Sequence, residues 1–420
     1  MINRDIALRA QDFHEALKET IAYGPKEVYF EKTLLIGKAA ILAMHLKGLI
    51  YIEDIPGLKY AAAELGIRSL ELETVLRQLE TVDFISIVKS GDNIKRVDIR
   101  VPEFRDGYQD LGTLWSDLQP SEIEHAGVSV LQQLLSLPMT DQKLLSLGLD
   151  STALAILKDV MMSGQLIRMQ PISGERVIYS PLAVDANPVE YLRWTQKYSD
   201  RVADALKTLT NHQGLPMSSS QIVGNEVLED AILTGILLPV RIEGVTGEQK
   251  FLFAPKGGLP AEERVITDKG RAILACVRYG QNFSAGRPIK HPRAILEHLR
   301  TKRKFRRGHP DLHAQYSLLV EKLIGRPIKE SGDNWNFEII DTPENLKALD
   351  VAIDMLEIGE TPSRYINIAV KSALLNPHRY LSPTSARPIL ASSIKGSPET
   401  RADIVRKLGE LGRGIIDVHN

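Results

Sequence analysis

Three stretches of the chain repeat one order of elements, and that repetition limits the possible folds more than any other feature. Val75–Pro102 reads VLRQLETVDFISIVKSGDNIKRVDIRVP, Ile156–Pro181 reads ILKDVMMSGQLIRMQPISGERVIYSP, and Val227–Pro255 reads VLEDAILTGILLPVRIEGVTGEQKFLFAP. Each starts in the end of an amphipathic helix and continues as a short apolar strand. Each then turns at a glycine and returns as a second strand closed by proline. The turns carry Gly91-Asp92-Asn93, Ser173-Gly174 and Thr246-Gly247, residue types that tolerate the positive φ of a hairpin. The copies start 81 and then 71 residues apart, room for one small domain each.

A helical prelude precedes each hairpin. In the first copy Glu31–Lys47 predicts a helix and Leu58–Leu65 a second, ending at Gly66. Ser69 is placed to cap a third helix over Ser69–Val82, with Glu71 and Glu73 in its first turn. In the second copy the helices fall at Ser121–Ser136 and Thr140–Leu147, then at Ser151–Ser163 with Ser151 as cap. In the third, Pro188–Asn211 reads as one long helix, Ser218–Val223 as a short one, and Asn225 caps the next.

Three helices and a β-hairpin are the order of elements in a winged helix. Over about residues 20–280 the chain resembles tandem winged-helix proteins of the helix-turn-helix superfamily. The resemblance implies an α+β, mainly helical fold of three tandem winged-helix modules followed by a helical C-terminal domain. The boundaries expected are an N-terminal helix at 1–30, modules at 31–118, 119–186 and 187–285, and a basic, mainly helical domain at 286–420. Winged helices bind DNA or proteins, and the fold alone does not choose.

In the last domain, helices are expected at Asp311–Ile324, Thr342–Glu357, from Thr361 or Ser363 to Leu375, and at Ser397–Leu411. Trp335–Ile340 reads as a strand, and the Pro- and Ser-rich Asn376–Ser397 as irregular. A fourth, degenerate module stays open, because no wing aligns.

The formal net charge of -1 conceals a dipolar chain. Residues 1–190 carry -8 and residues 191–420 carry +7. From Arg287 to Arg307 there are nine Lys or Arg and one acid, Glu297. A polyanionic partner is therefore expected at the back of the chain. Cys276 is the only cysteine, which excludes a disulfide framework and a CxxC metal site. No apolar run reaches the ~18 residues of a membrane span, so a soluble, cytoplasmic chain is expected.

The helices that would read a major groove are poorly suited to it. Ser69–Val82 sets Glu71, Glu73 and Glu80 against Arg77. Ser151–Ser163 balances Lys158 with Asp159. The third carries Glu226, Glu229 and Asp230 with no cation. Those acids would repel phosphates. The first wing is less hostile, with Lys89, Lys95, Arg96 and Arg100. Exposed wings carry such residues in any case.

The sharpest chemical feature is Pro292–His309, PRAILEHLRTKRKFRRGH, with six cations in the eight positions from Arg300 to Arg307. Pro292–Phe305 has helical propensity, with Pro292 suited to a helix start and Ile295, Leu296 and Leu299 as an apolar stripe. On one continuous helix Arg300, Lys304 and Arg307 share a face, with Lys302, Arg303 and Arg306 beside it. Such a surface binds nucleic acid through counterion release, independently of sequence. Two competing readings are a solvated helix end whose cations complement the macrodipole, and a dock for an acidic protein, including the front of another copy. Phe305 is a stacking candidate, although one aromatic in a basic run is more often packing.

No catalytic pattern emerges. His309 and His313 stand at i, i+4 but lack a third ligand, and His14-Glu15 reads as an exposed pair. Lys38 in LLIGKAA lacks the remaining residues of a phosphate-binding loop, and Gly409, Gly412 and Gly414 follow no strand. Cys276 lies in an apolar helical pattern and reads as core. The expectation is a non-catalytic nucleic-acid-binding protein, DNA ahead of RNA, without cofactor, metal or membrane. Its contacts would be Arg300, Lys302, Arg303, Lys304, Arg306 and Arg307, with Lys95 and Arg96 of the first wing. It would serve regulation or a DNA-processing or defence assembly. The alternative is a protein-interaction scaffold whose winged helices dock a partner subunit.

Overall fold

The computed structural model describes residues 2–18, 25–102, 104–172, 174–184, 188–244, 247–255, 261–284, 288–308, 312–330 and 335–375. The expected helix Ser397–Leu411 and the irregular stretch before it lie outside the described residues, as do Ser173, Thr246 and His309. The fold is mixed, mainly helical, with small antiparallel sheets.

The first copy runs α1 (Asn3–Leu17), α2 (Glu31–Leu46), β1 (Tyr51–Ile52), α3 (Ile55–Glu64), α4 (Leu72–Thr81), β2 (Ile85–Ser90) and β3 (Asn93–Ile99). The second repeats that order as α5 (Phe104–Asp117), α6 (Glu122–Leu134), β4 (Met139–Thr140), α7 (Asp141–Leu145), α8 (Ser151–Ser163), β5 (Arg168–Ile172) and β6 (Glu175–Tyr179). The third has α9 (Pro188–Tyr198), α10 (Asp200–Asn211), β7 (Leu215–Pro216), a run of turns, α11 (Glu226–Leu233), β8 (Val240–Gly244) and β9 (Gly247–Leu252).

Where three copies were expected, the order returns once more. It appears as α12 (Ala261–Asn282), α13 (Pro292–Lys302), α14 (Leu312–Gln315), α15 (Ser317–Glu321), β10 (Gly325–Lys329) and β11 (Trp335–Ile339). Then come α16 (Pro343–Glu357) and α17 (Ile368–Leu375), with a 3-10 turn at Pro362–Tyr365 between them. The sheets are ordered β1-β3-β2, β4-β6-β5 and β7-β9-β8, so a short strand always pairs with the returning hairpin strand. In the fourth sheet Lys304 takes that place, bridging to Glu338 on β11.

One local device recurs between each hairpin helix and its hairpin. The residue before the first strand region is left-handed: Asp83 (φ 58°), Gln165 (54°), Gly235 (74°) and Leu323 (53°). The next amide, or in the third copy the one after it, reaches back to the last turn of the helix. Phe84 N donates to Leu79 O at 2.9 Å, Leu166 N to Met161 O at 2.8 Å, Leu237 N to Ala231 O at 2.9 Å and Ile324 N to Leu319 O at 2.8 Å. This closure satisfies helix-end carbonyls and turns the chain into the strand.

Helix starts follow cap chemistry, with two corrections. Ser121 forms a reciprocal capping box with Glu124, and Thr140, Asn225 and Thr342 cap as their residue types predict. Glu71 occupies the cap position expected of Ser69, and Asp150 caps α8 in place of Ser151. The long helix expected over Pro188–Asn211 breaks at Ser199, whose φ is 50°. The helix expected over Asp311–Ile324 is two short pieces around Tyr316.

Three hydrophobic cores run along the array. The first joins copies one and two and takes in Ile366 and Val370, so the late chain closes over the early modules. The second core packs the outer side of the second hairpin (Val177, Tyr179) onto the third copy. The third core packs Ile242, Phe251 and Phe253 onto α12, α13 and α16. Helix α1 is buried on nearly every side, and its neighbours press close: a Cβ on Gly37 would lie 2.3 Å from Ala10 O, and one on Gly112 1.8 Å from Asn3 O. The expected exposure of His14 is therefore wrong. It is 1% exposed, its Nε2 is 2.8 Å from Leu65 O, and burial lowers its pKa to about 3.

Candidate nucleic-acid interface

The basic segment is not one helix. α13 ends at Lys302, and Arg303 takes the left-handed conformation at φ 65°. Strand-type pairing then replaces helical hydrogen bonds: Phe305 N donates to Phe337 O at 3.2 Å and Ile339 N to Arg303 O at 2.6 Å. The shared face expected for Arg300, Lys304 and Arg307 therefore does not exist, because the 3.6-residue period stops before Lys304. The reason is tertiary. Arginine and lysine favour helix, but β11 offers a free edge, and pairing with it satisfies the backbone of 303–305.

Alternation along this strand sorts the side chains. Lys304 and Arg306 are exposed, while Phe305 between them is 7% exposed and packs on Tyr316 and Phe337, with ring centroids 5.0 and 5.9 Å away. Phe305 is thus a core residue and not a stacking platform. Lys302 and Arg307 are also exposed. Among the described residues, none of these four cations makes an ion pair.

The other two arginines are committed elsewhere. Arg300 holds Asp350 with two bonds, Nε to Oδ1 at 2.7 Å and Nη2 to Oδ2 at 3.2 Å. Arg303 Nε donates to Asp341 at 3.0 Å. Burial disfavours the Arg300 cation, but Asp350 outweighs it and raises the pKa. Both side chains fasten α13 to its surroundings.

The hairpin adds cations that the sequence reading missed. Arg326 lies across from Glu338 and binds it through Nε and Nη2, at 2.9 and 2.7 Å. Lys304 faces the same Glu338 from the other side, so the row is Lys304–Glu338–Arg326 across one face. Lys329 Nζ sits 5.9 Å above the Trp335 ring. A signal for this hairpin was present in the sequence: Ser90-Gly91-Asp92-Asn93 of the first wing recurs as Ser331-Gly332-Asp333-Asn334.

In the first wing, Lys95 is exposed, but Arg96 is drawn to Asp98 at 2.9 Å and lies 5.7 Å over the Tyr51 ring. Lys89 is taken by Glu73 at 2.8 Å. The acids of the hairpin helices are likewise matched within the chain. Burial pushes Glu71 up, yet hydrogen bonds from Arg68 and Lys38 prevail and hold it near 2. Hydrogen bonds from Lys89 and Arg77 hold Glu73 at about 2. On α11, Glu226 is met by Arg201 at 3.3 Å and Asp230 by Lys197 at 3.3 Å, while on α8 it is the cation Lys158 that is matched, by Asp141 of α7 at 2.5 Å.

Among the described residues, no group of three or more His, Cys, Asp or Glu is arranged to hold a metal ion, and no helix is long and apolar enough to cross a membrane. Cys276 is fully buried, and burial pushes its thiol well above the ordinary range. No family model matches the chain, nor does any curated protein or solved structure compared with it.

Proposed function

We propose that the chain is a tandem winged-helix protein that binds nucleic acid, DNA ahead of RNA, by contacts to backbone phosphates at its fourth copy. The observation that carries this is the exposed set Lys302, Lys304, Arg306 and Arg307, without an ion pair among the described residues, beside Arg326 and Lys329 of the adjoining hairpin. Cations matched inside the fold gain little from a phosphate, whereas exposed cations release counterions on binding. The hairpin helices of the first three copies carry acids engaged by their own modules, which favours packing over groove reading for them. The role proposed is non-catalytic, in regulation or a DNA-processing or defence assembly.

The test is fluorescence anisotropy with a labelled random duplex over a salt series. Binding weakens steeply between about 50 and 200 mM salt, and a variant with Lys302, Lys304, Arg306 and Arg307 all changed to Glu does not bind. Absence of wild-type binding at low salt ends the proposal.

A second reading, a scaffold that docks a protein partner, draws on a different observation. Each of the first three copies exposes an apolar side chain ahead of its hairpin helix: Leu70 (96% exposed), Leu145 (56%) and Val223 (63%). Under that reading, serine at all three positions releases a co-purifying partner without changing the melting temperature.

A further inference from the structure

A cleft of about 510 Å³ opens where the third copy meets α12 and α15. Its walls are apolar, with Leu237 and Phe253 buried and Leu318 beside them. Its charged groups are unequal in sign: Arg241, Arg264, Arg271 and Lys322 line it against one carboxylate, Asp268. Three of these come from one face of α12, since Arg264, Asp268 and Arg271 are spaced i, i+4, i+7. Arg271 is held in place. Its guanidinium lies 5.9 Å over the Phe253 ring, donates to Ala254 O at 3.0 Å, and stands 3.8 Å from Asp268.

Tyr191 also lines the cleft. It is 2% exposed, and its hydroxyl is buried with no hydrogen-bond partner among the described residues. An apolar cleft of this volume with a few polar groups is the usual form of a small-molecule site. The cations of the proposed nucleic-acid face, Lys302 to Arg307, are not among its lining residues.

We propose that this cleft binds an organic anion of small-molecule size. Its carboxylate or phosphate head sits among the four cations, and its apolar body covers Leu237 and Phe253. The site stands apart from the nucleic-acid reading and does not need it.

The test is calorimetric titration of the full chain with three probes: anilinonaphthalene sulfonate, dodecanoate and adenosine monophosphate. At least one binds, and the Arg264→Glu/Lys322→Glu variant weakens it tenfold or more. A preference for the nucleotide assigns a phosphate head, and a preference for dodecanoate a carboxylate. If the double variant does not fold, Leu238→Trp at the exposed rim serves instead and blocks entry. The proposal fails if no probe binds up to 1 mM. It also fails if a folded double variant binds as wild type does. Displacement of the sulfonate by random duplex DNA, but not by dodecanoate or the nucleotide, overturns it as well.

Discussion

Asp12 on the first helix accepts a hydrogen bond at 3.3 Å from Arg364, 352 residues later, and both side chains are almost wholly buried. Tyr365 Oη donates to the same carboxylate at 2.7 Å. Arg9 Nε stands 3.0 Å from it on the other side, while Arg9 Nη2 reaches Glu360. One carboxylate therefore balances two guanidinium groups inside the protein. Asp12→Ala leaves both without it, and breaking a buried pair of this kind costs about 3–5 kcal/mol. Urea unfolding measures it, and a loss below about 1 kcal/mol contradicts the assignment.

Stability and nucleic-acid binding separate along the basic segment. Arg300→Ala removes both hydrogen bonds to Asp350 and lowers stability by about 1–3 kcal/mol, with the salt dependence of DNA binding unchanged. Lys304→Ala and Arg306→Ala do the reverse. Each lowers the slope of log affinity against log salt by about one and leaves stability within about 0.5 kcal/mol. A binding loss on Arg300→Ala at unchanged stability contradicts the division.

The left-handed residue that ends each hairpin helix offers a backbone test. Gly235 sits at φ 74° with open space around it, so Gly235→Ala clashes with nothing and the conformation alone costs about 1 kcal/mol. Leu323 occupies the same conformation, 70% exposed. Leu323→Gly removes that strain and keeps or raises the melting temperature. Destabilisation of both variants points to side-chain packing instead.

Asp354 supplies a pH dependence. Burial raises its carboxyl from 3.8 to about 7, against a hydrogen bond from Ser363 N at 2.8 Å. Between those values the folded state holds a proton that the unfolded state has released. This group's contribution to stability therefore falls as pH rises from about 4 to about 7. Asp354→Asn keeps an acceptor and removes the charge. Its melting temperature exceeds that of wild type at pH 8, and the difference shrinks toward pH 5. His14 and His45 act in the opposite direction. Burial depresses both, to about 3 and about 4, so their contribution falls as pH drops below 6.5.

What could be read in advance was local. Hairpin alternation, glycine turns and side-chain caps act within a few residues, so β2–β3, β5–β6 and the caps at Ser121, Asn225 and Thr342 were legible. The fourth hairpin was legible only in part: Trp335–Ile340 read as a strand and its turn repeats that of the first wing, but Gly325 and Pro327 interrupt the apolar pattern of the strand before it. The end of α13 was hidden for another reason. No breaker follows Lys302, and the helix stops because a strand elsewhere in the chain pairs with Arg303–Phe305. Burial of His14 depends on α2 and α5 covering α1, which no period in α1 reveals. Of the proposed contacts, Lys302, Lys304, Arg306 and Arg307 are exposed, but the single helix expected to carry them ends at Lys302. The Arg300 and Arg303 pairs depend on Asp350 and Asp341, about forty to fifty residues away.

The junction between α1 and the 360–365 turn also sets a timetable for synthesis. Helix α1 leaves the ribosome carrying the Arg9–Asp12 pair while Glu360 and Arg364, which complete it, are still untranslated. At about 5–20 residues per second, the interval before Arg364 follows is roughly 20–70 s. Through that time α1 has no complete burial site, and the buried charge network around Asp12 stays unfinished until the 360–365 turn is made.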